Sequence, residues 1–395
     1  MMQSFGSQGS QEVIRQLEEA GYEAVFVGGA VRDHLLGKVA NDFDIATSAF
    51  PNEVKNVFSQ TIDVGIEHGT VLVLMQNEPI EVTTYRTEST YSDHRRPDAV
   101  HFVRTLKDDL QRRDFTINAL ALTRTGDLID PFGGQTDLAH GLIRAVGNPD
   151  ERFNEDALRM LRAIRFVSVL GFSIEEETSL AITRHAEKIR YVSIERIKME
   201  MDKLWTGQYV GQALKAIAQT NLSAYLPLFT TSEKLLHCAP FEGPEQGWAM
   251  LMGIGHFTPL ELARAYKMSN REKGFLTQVA HAFFNRQKND YTIVDLYAHS
   301  IDVLWTAEKL YHALFPESKR VSYEHLTSAW EALPIHSKDD LQVNGKDLME
   351  WIGQRGGRWV GEWMDKIESA VLHQQCDNDA FRIKEWFLNE YKREK

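Results

Sequence analysis

Apolar and polar residues change rhythm along this chain. Short runs dominate the first third. Ala24-Val25-Phe26-Val27 is apolar throughout, as expected of a strand covered on both faces. Gly28-Gly29 follow, and the pattern beyond them predicts a helix beginning near Val31. Asp42-Phe43-Asp44-Ile45 alternates. A strand here points both carboxylates to one face and Phe43 and Ile45 to the other. Thr70-Met75 and Ile80-Tyr85 read as neighbouring strands, separated by the turn-prone Gln76-Asn77-Glu78-Pro79. Leu128-Pro131, ahead of Gly133-Gly134, closes this region.

Beyond about Asn148 the texture becomes helical. A helix through Glu155-Phe166 turns about 100° per residue. Leu158, Met160, Leu161 and Ile164 then occupy roughly one half of its circumference. Arg152, Asp156, Arg159 and Ala163 share a narrow arc on the other half, with Glu155 and Arg162 on its shoulder and Arg165 away from Asp156. On spacing alone Asp156-Arg159 is an exposed i,i+3 ion pair, worth about 0.3 kcal/mol. Trp359, Trp363 and Ile367 recur every four residues, one apolar helix face near the C-terminus. No internal repeat or low-complexity tract interrupts the chain. The fold class is α+β, a mixed head followed by an all-α remainder.

The 395 residues allow two to four domains. A composition of 43% hydrophobic and 25% charged residues is that of a globular protein. No apolar run approaches the roughly 18 residues of a membrane span, and the polar Met1-Ser10 lacks the order of a secretory signal. Cys238 and Cys376 are too few for a disulfide framework, and a reducing cytoplasm fits them. The net charge of -12 argues against a nucleic-acid partner only superficially, because local field governs binding. Basic residues concentrate at Arg95-Arg96, Arg104, Lys107, Arg112-Arg113, Arg159, Arg162 and Arg165, so a basic cleft on an acidic body is open.

The chemistry begins at Asp42 and Asp44. Two hard oxygen ligands on one face suit Mg2+, which completes its shell with water and substrate phosphates. Gly28-Gly29 before a helix allow close backbone approach and present free N–H groups to an anion. No Gly-Lys-Ser/Thr follows, so this is not a Walker loop, and the third glycine of a dinucleotide fingerprint is missing. A phosphate cradle beside metal carboxylates means nucleotide chemistry. Glu81 is a possible third carboxylate, although Glu-Val-Thr-Thr also fits an ordinary half-exposed strand. Arg112-Arg113-Asp114 reads as a basic helix start with Asp114 as N-cap. Arg165 reads equally as core-edge packing, and Glu195, Arg196 and Glu200 as helix-terminal charges. His34, His68, His94 and His101 have no metal-like grouping.

Five segments then occur in a telling order. They are Gly28-Gly29-Ala30-Val31-Arg32-Asp33, Asp42-Phe43-Asp44, Arg112-Arg113-Asp114-Phe115-Thr116-Ile117-Asn118-Ala119, Glu155-Asp156-x-x-Arg159-x-x-Arg162-Ala163-x-Arg165-Phe166 and Glu195-Arg196-Ile197. The set resembles the class II CCA-adding enzymes, tRNA nucleotidyltransferases of the polymerase β-like superfamily. Val343-Asn344-Gly345-Lys346-Asp347 resembles the tail of bacillary-type members. The resemblance implies a polymerase β-like nucleotidyltransferase head with a mixed sheet over 1–147, a neck over 148–206, a body over 207–290 and a tail over 291–395.

It also implies addition of C, C and A to the 3′ end of tRNA from CTP and ATP, with pyrophosphate released and two Mg2+ ions held by Asp42 and Asp44. Gly28, Gly29, Arg32, Arg113 and Arg162 are then expected at the triphosphate, and Asp114 at the ribose. Asp156 and Arg159 are expected to read the incoming base in place of a template. Arg165 is a further candidate for phosphate. The polar segment Arg86-Asp109 reads as a surface loop, and the family places there an element needed to switch from C to A. Body and tail are expected to follow the acceptor arm of tRNA. The oligomeric state is not legible, and a homodimer is compatible with the sequence. Three other activities stay open: a poly(A) polymerase, a CC-only adding enzyme and a noncatalytic RNA-binding protein.

Overall fold

A computed structural model describes residues 5–40, 42–65, 69–88 and 100–394. The chain forms two compact units, Met1–Pro244 with Ala265–Lys267, and Glu245–Arg264 with Met268–Lys395. In the first, α1 (Gln8–Glu19) lays Val13, Ile14 and Leu17 against the sheet, and β1 (Ala24–Val27) is buried along its whole length. There follow α2 (Gly29–Leu35), β2 (Asp44–Thr47), α3 (Pro51–Val57), β3 (Thr61–Gly65), β4 (Thr70–Met75) and β5 (Glu78–Thr84). A short ribbon, β6 (Arg86–Glu88) with β7 (Val100–Phe102), leads to α4 (Leu106–Gln111). After a 3-10 turn at Thr116–Asn118 come β8 (Ala121–Leu122), β9 (Leu128–Ile129) and α5 (Gly134–His140).

The seven-stranded sheet runs β3-β4-β5-β2-β1-β8-β9. Only β2 and β5 pair in parallel, so the sheet is mixed as expected. Val25, Val27, Ala46, Tyr85, Leu106, Leu110, Ala119, Ala121 and Val146 form one apolar cluster beneath the site. Full burial of Leu110 alone stabilises by about 2 kcal/mol.

Several boundaries differ from the sequence reading. Helix α2 starts at Gly29, two residues before Val31. The β4-β5 turn is only Gln76-Asn77, both at positive φ, which matches the twist of a two-residue hairpin, so Glu78 and Pro79 belong to β5. Arg86-Asp109 is not one surface loop, since it contains β6, β7 and most of α4, and Tyr85 beside it is fully buried. The expected C-to-A element includes residues 89–99, which lie outside the described residues together with Tyr91, Asp93, Arg95, Arg96 and Pro97.

The expected single helix through Asp156 is two helices. Asn148 caps α6 (Pro149–Glu155), accepting the Asp150 amide with Pro149 in the first turn. Asp156 then turns extended, at φ −137° and ψ 104°, before α7 (Leu158–Leu170). The Asp156 carboxylate takes the Leu158 amide at 3.0 Å, so a short acidic side chain ends one helix and starts the next. The arc of Arg152, Asp156, Arg159 and Ala163 therefore does not exist as drawn, and Arg159 and Ala163 are buried. Leu158, Met160, Leu161 and Ile164 are buried as predicted. Helices α8 (Glu176–His185) and α9 (Ile194–Trp205) complete the neighbourhood of the site.

The second unit is helical throughout. Its helix Asn270–Arg286 carries Arg286, buried and paired with the wholly buried Glu308 at 2.8 Å. Helices Arg358–Leu372 and Ala380–Glu394 meet through Trp363 and Phe387, with ring centroids 5.2 Å apart. Trp363 and Ile367 are buried and Trp359 only partly, so the four-residue repeat marks a face that runs out toward solvent.

Candidate active site

The first unit opens a cavity of about 830 Å3 between the sheet and α7. Its wall includes Gly28, Gly29, Arg32, Asp42, Asp44, Arg113, Asp114, Asp156, Arg159, Arg162 and Arg165. Every site residue expected from sequence except Glu81 therefore faces one space.

Asp44 is the first residue of β2, opposite Val27, and Asp42 lies just ahead of the strand. Parallel pairing of Ile45 with Val82 brings Glu81 alongside Asp44. Burial raises the Asp44 carboxyl above its ordinary range, and the charges of Glu81 and Asp42 push it the same way while Arg113 opposes them. Gly28 stands at φ 77° and ψ −142°, backbone that only glycine adopts without strain. A Cβ there would sit 3.4 Å from Asp44 Oδ2 and 3.5 Å from an Arg113 nitrogen. Its torsions, more than the space around it, call for glycine at this point between an anion and a cation.

Arg112 and Arg113 follow the C-terminal end of α4 and do not begin a helix, which corrects the expected basic helix start. Buried Asp109 holds both, at 2.7 Å and 3.2 Å. Asp114 is likewise not a helix N-cap. It accepts the Phe115 amide at 2.8 Å, the Asn118 amide group at 3.0 Å and Arg162 at 2.8 Å. Burial would raise its carboxyl, but the Arg162 charge and the Asn118 hydrogen bond outweigh this and hold it down to about 2. Arg32 donates to Asp33 and to Asn118 Oδ1 at 2.8 Å.

Arg165 is neither loose nor simply core-edge. It meets Glu200 at 2.7 Å and lies 4.0 Å from the Phe166 ring centroid. Glu200 is buried mid-helix in α9, and its other neighbour is Arg162 at 3.7 Å. Only Glu195 and Arg196 lie in the first turn of α9, so Glu200 is not the helix-terminal charge expected.

Asp156 and Arg159 each have partners other than one another. Asp156 pairs with Arg196 at 2.7 Å. Arg159 donates to Glu155 at 2.5 Å, to the Arg152 carbonyl at 3.2 Å and to the Arg112 carbonyl at 3.0 Å. The reason is the break at Asp156, which separates the two side chains onto different supports. Both still face the cavity.

The sequence reading did not assign Asn118, Arg112, Arg196 or Lys203 to the site, and all four line the cavity. Arg196, Glu200 and Lys203 follow i, i+4, i+7 spacing, a polar stripe on α9 that could have flagged them. Eight cationic side chains line the cavity against five aspartates, inside a chain of net charge -12. The local sign is positive, as a triphosphate requires.

Residues 24–144 match the family described as Poly A polymerase head domain, residues 171–232 the probable RNA and SrmB-binding site of polymerase A, and residues 240–387 tRNA nucleotidyltransferase domain 2. The CCA-adding enzyme of Bacillus cereus (strain G9842) is 42% identical over 384 residues, covering 95% of this chain and 97% of the relative. That of Geobacillus kaustophilus (strain HTA426) is 44% identical over 386 residues, 95% of each chain. The crystal structure of the Bacillus stearothermophilus CCA-adding enzyme in complex with CTP superposes with a TM-score of 0.82 at 39% identity, covering 98% of both chains. Similarity of this extent, over nearly the whole length, establishes that the chain belongs to the Bacillus-type CCA-adding enzymes, within the tRNA nucleotidyltransferases.

Proposed function

We infer that this protein adds C, C and A to the 3′ end of tRNA from CTP and ATP, without a nucleic-acid template, releasing pyrophosphate. One observation carries the residue-level reading: the acidic couple and the Asp156 and Arg159 side chains open into the same cavity. The relatives matched over their full length are CCA-adding enzymes, which favours this over a poly(A) polymerase.

Asp42 and Asp44 are the proposed magnesium ligands, with Glu81 a further carboxylate nearby. The fit is electrostatic: burial first, and then the charges of Glu81 and Asp42, push Asp44 upward, and a bound cation offsets both. Among the described residues, no group of three or more His, Cys, Asp or Glu side chains could hold an ion by itself. Two Mg2+ ions, when bound, supply charge neutralisation at the reacting phosphate and a more acidic attacking hydroxyl.

The protein's own part is positioning. Gly28 and Gly29 let the triphosphate approach the backbone, while Arg32, Arg113 and Arg162 offset its charge, with Arg165 behind them. Asp114 accepts from the ribose. The tRNA 3′-oxygen bonds to the α-phosphorus as the bond to the bridging oxygen breaks. Asp156 accepts from the exocyclic amine of cytosine or adenine, and Arg159 donates to the adjacent ring nitrogen. Uracil and guanine carry the reverse polarity and leave both groups opposed, a mismatch that discriminates by orders of magnitude. The helical second unit is the proposed support for the tRNA acceptor arm. No helix among the described residues is long and apolar enough to cross a membrane, and the cytoplasm is the proposed location.

The test offers tRNA lacking its 3′ end with each labelled nucleotide, singly and combined. Ordered incorporation of C, C and A is expected. ATP-only runs point instead to a poly(A) polymerase, CTP-only addition to a CC-adding enzyme, and inert protein to an RNA-binding role.

A further inference from the structure

Asn118 sits where three of the proposed nucleotide contacts converge. Its Oδ1 accepts from Arg32 at 2.8 Å, its Nδ2 donates to Asp114 at 3.0 Å, and its backbone carbonyl accepts from Arg113 at 3.4 Å. These partners come from α2, from the turn after α4 and from the end of α4. One amide therefore satisfies a cation on one side and an anion on the other. An amide can do both because it pairs one acceptor with one donor.

Its platform is fixed. The 3-10 turn Thr116–Asn118 hydrogen-bonds through the Asn118 amide to the Phe115 carbonyl at 2.9 Å and through the Thr116 amide to the Arg144 carbonyl at 2.9 Å. Thr116 Oγ1 donates to buried Asp137 at 2.6 Å. Gly134 packs so closely that an added Cβ would fall 2.2 Å from the Thr116 carbonyl oxygen. Asn118 itself is only 7% exposed. A side chain held this firmly can impose its geometry on the longer, more mobile arginines.

We propose that Asn118 is a positioning residue for nucleotide selection, aligning the Asp114 carboxylate on the ribose and the Arg32 guanidinium on the triphosphate. This rests on the roles proposed above for Asp114 and Arg32. The preference between ribose and 2′-deoxyribose thus depends on Asn118 although Asn118 acts through Asp114. A carboxylate of the same shape keeps the acceptor for Arg32 and loses the donor toward Asp114.

The test measures kcat and KM for CTP and dCTP, on tRNA lacking its 3′ end, with N118A, N118D, D114A and the double variant N118A/D114A. The ratio of kcat/KM for CTP over dCTP is expected to fall about tenfold in N118A and in D114A, and no further when both are changed. The N118D variant should lose selectivity as N118A does, because it keeps the shape and the acceptor for Arg32 without the donor toward Asp114. Loss of selectivity in D114A with full selectivity in N118A overturns the role of Asn118. Full selectivity in D114A instead overturns the ribose reading of Asp114. Additive losses, or wild-type selectivity in N118D, also count against positioning. Should N118A fold poorly, N118D carries the test through its retained shape.

Discussion

Replacing Asp114 by Asn tests the electrostatics of the cavity directly. The change keeps shape and removes one charge from a carboxylate that is 8% exposed and touches Arg162. Its carboxyl is held at about 2 against an ordinary 3.8. At about 1.4 kcal/mol per pH unit, that lowering contributes roughly 2 kcal/mol to folding. The sign follows from a depressed acid. The contribution is complete well above pH 3.8 and fades as pH falls toward 2, with about half gone by pH 3. D114N should therefore be about 2 kcal/mol less stable than wild type at pH 7, and the gap should close on acidification. Arg162 is only partly stranded, because Glu200 lies 3.7 Å away and a third of its side chain meets solvent. The chain has two compact units, so one global transition is a poor readout. Hydrogen exchange of peptides covering residues 114–118 and 160–166, in wild type and variant from pH 7 to pH 3, isolates the region. An equal deficit at both ends of that range, or none at pH 7, refutes the reasoning.

Three further changes probe the other walls. D44N should lower transfer about a thousandfold in Mg2+ while tRNA binding persists, and the protein should be no less stable at pH 7, because an acid raised by burial costs stability once ionised. Retained transfer would remove Asp44 from the chemistry. G28A forces a side chain into positive φ, costing about 1–3 kcal/mol and straining the turn beside Asp44, so KM for CTP should rise with tRNA affinity unchanged; wild-type kinetics would contradict the cradle. R196A releases the Asp156 carboxylate from its 2.7 Å partner, and discrimination between CTP and UTP should drop about tenfold. An unchanged ratio, measured by single-nucleotide incorporation, detaches Arg196 from base reading.

The residues of the site were more legible than their connections. Asp42, Asp44, Gly28 and Gly29 stood out on local rules of strand alternation and glycine geometry, although β2 begins only at Asp44, so alternation does not place Asp42. The buried β1 announced itself by four apolar residues in a row. The break at Asp156 was invisible to helical periodicity, which counts side chains and ignores a backbone that a short carboxylate can recapture. The same limit hid the true partners of Asp156 and Arg159, since Arg196 lies 40 residues away in sequence. Asn118 carried no signal of its own. An amide is ordinary until folding places a guanidinium on one side and a carboxylate on the other.

That break also bears on the base reading proposed for Asp156 and Arg159. Asp156 hangs from the joint between two rods, and Arg159 from the rod beyond it. Their separation is thus governed by the backbone torsions of a single corner, as the jaws of a caliper are governed by its pivot. On the roles proposed for these two groups, the distance between acceptor and donor is set by that corner and not by the pitch of one continuous helix.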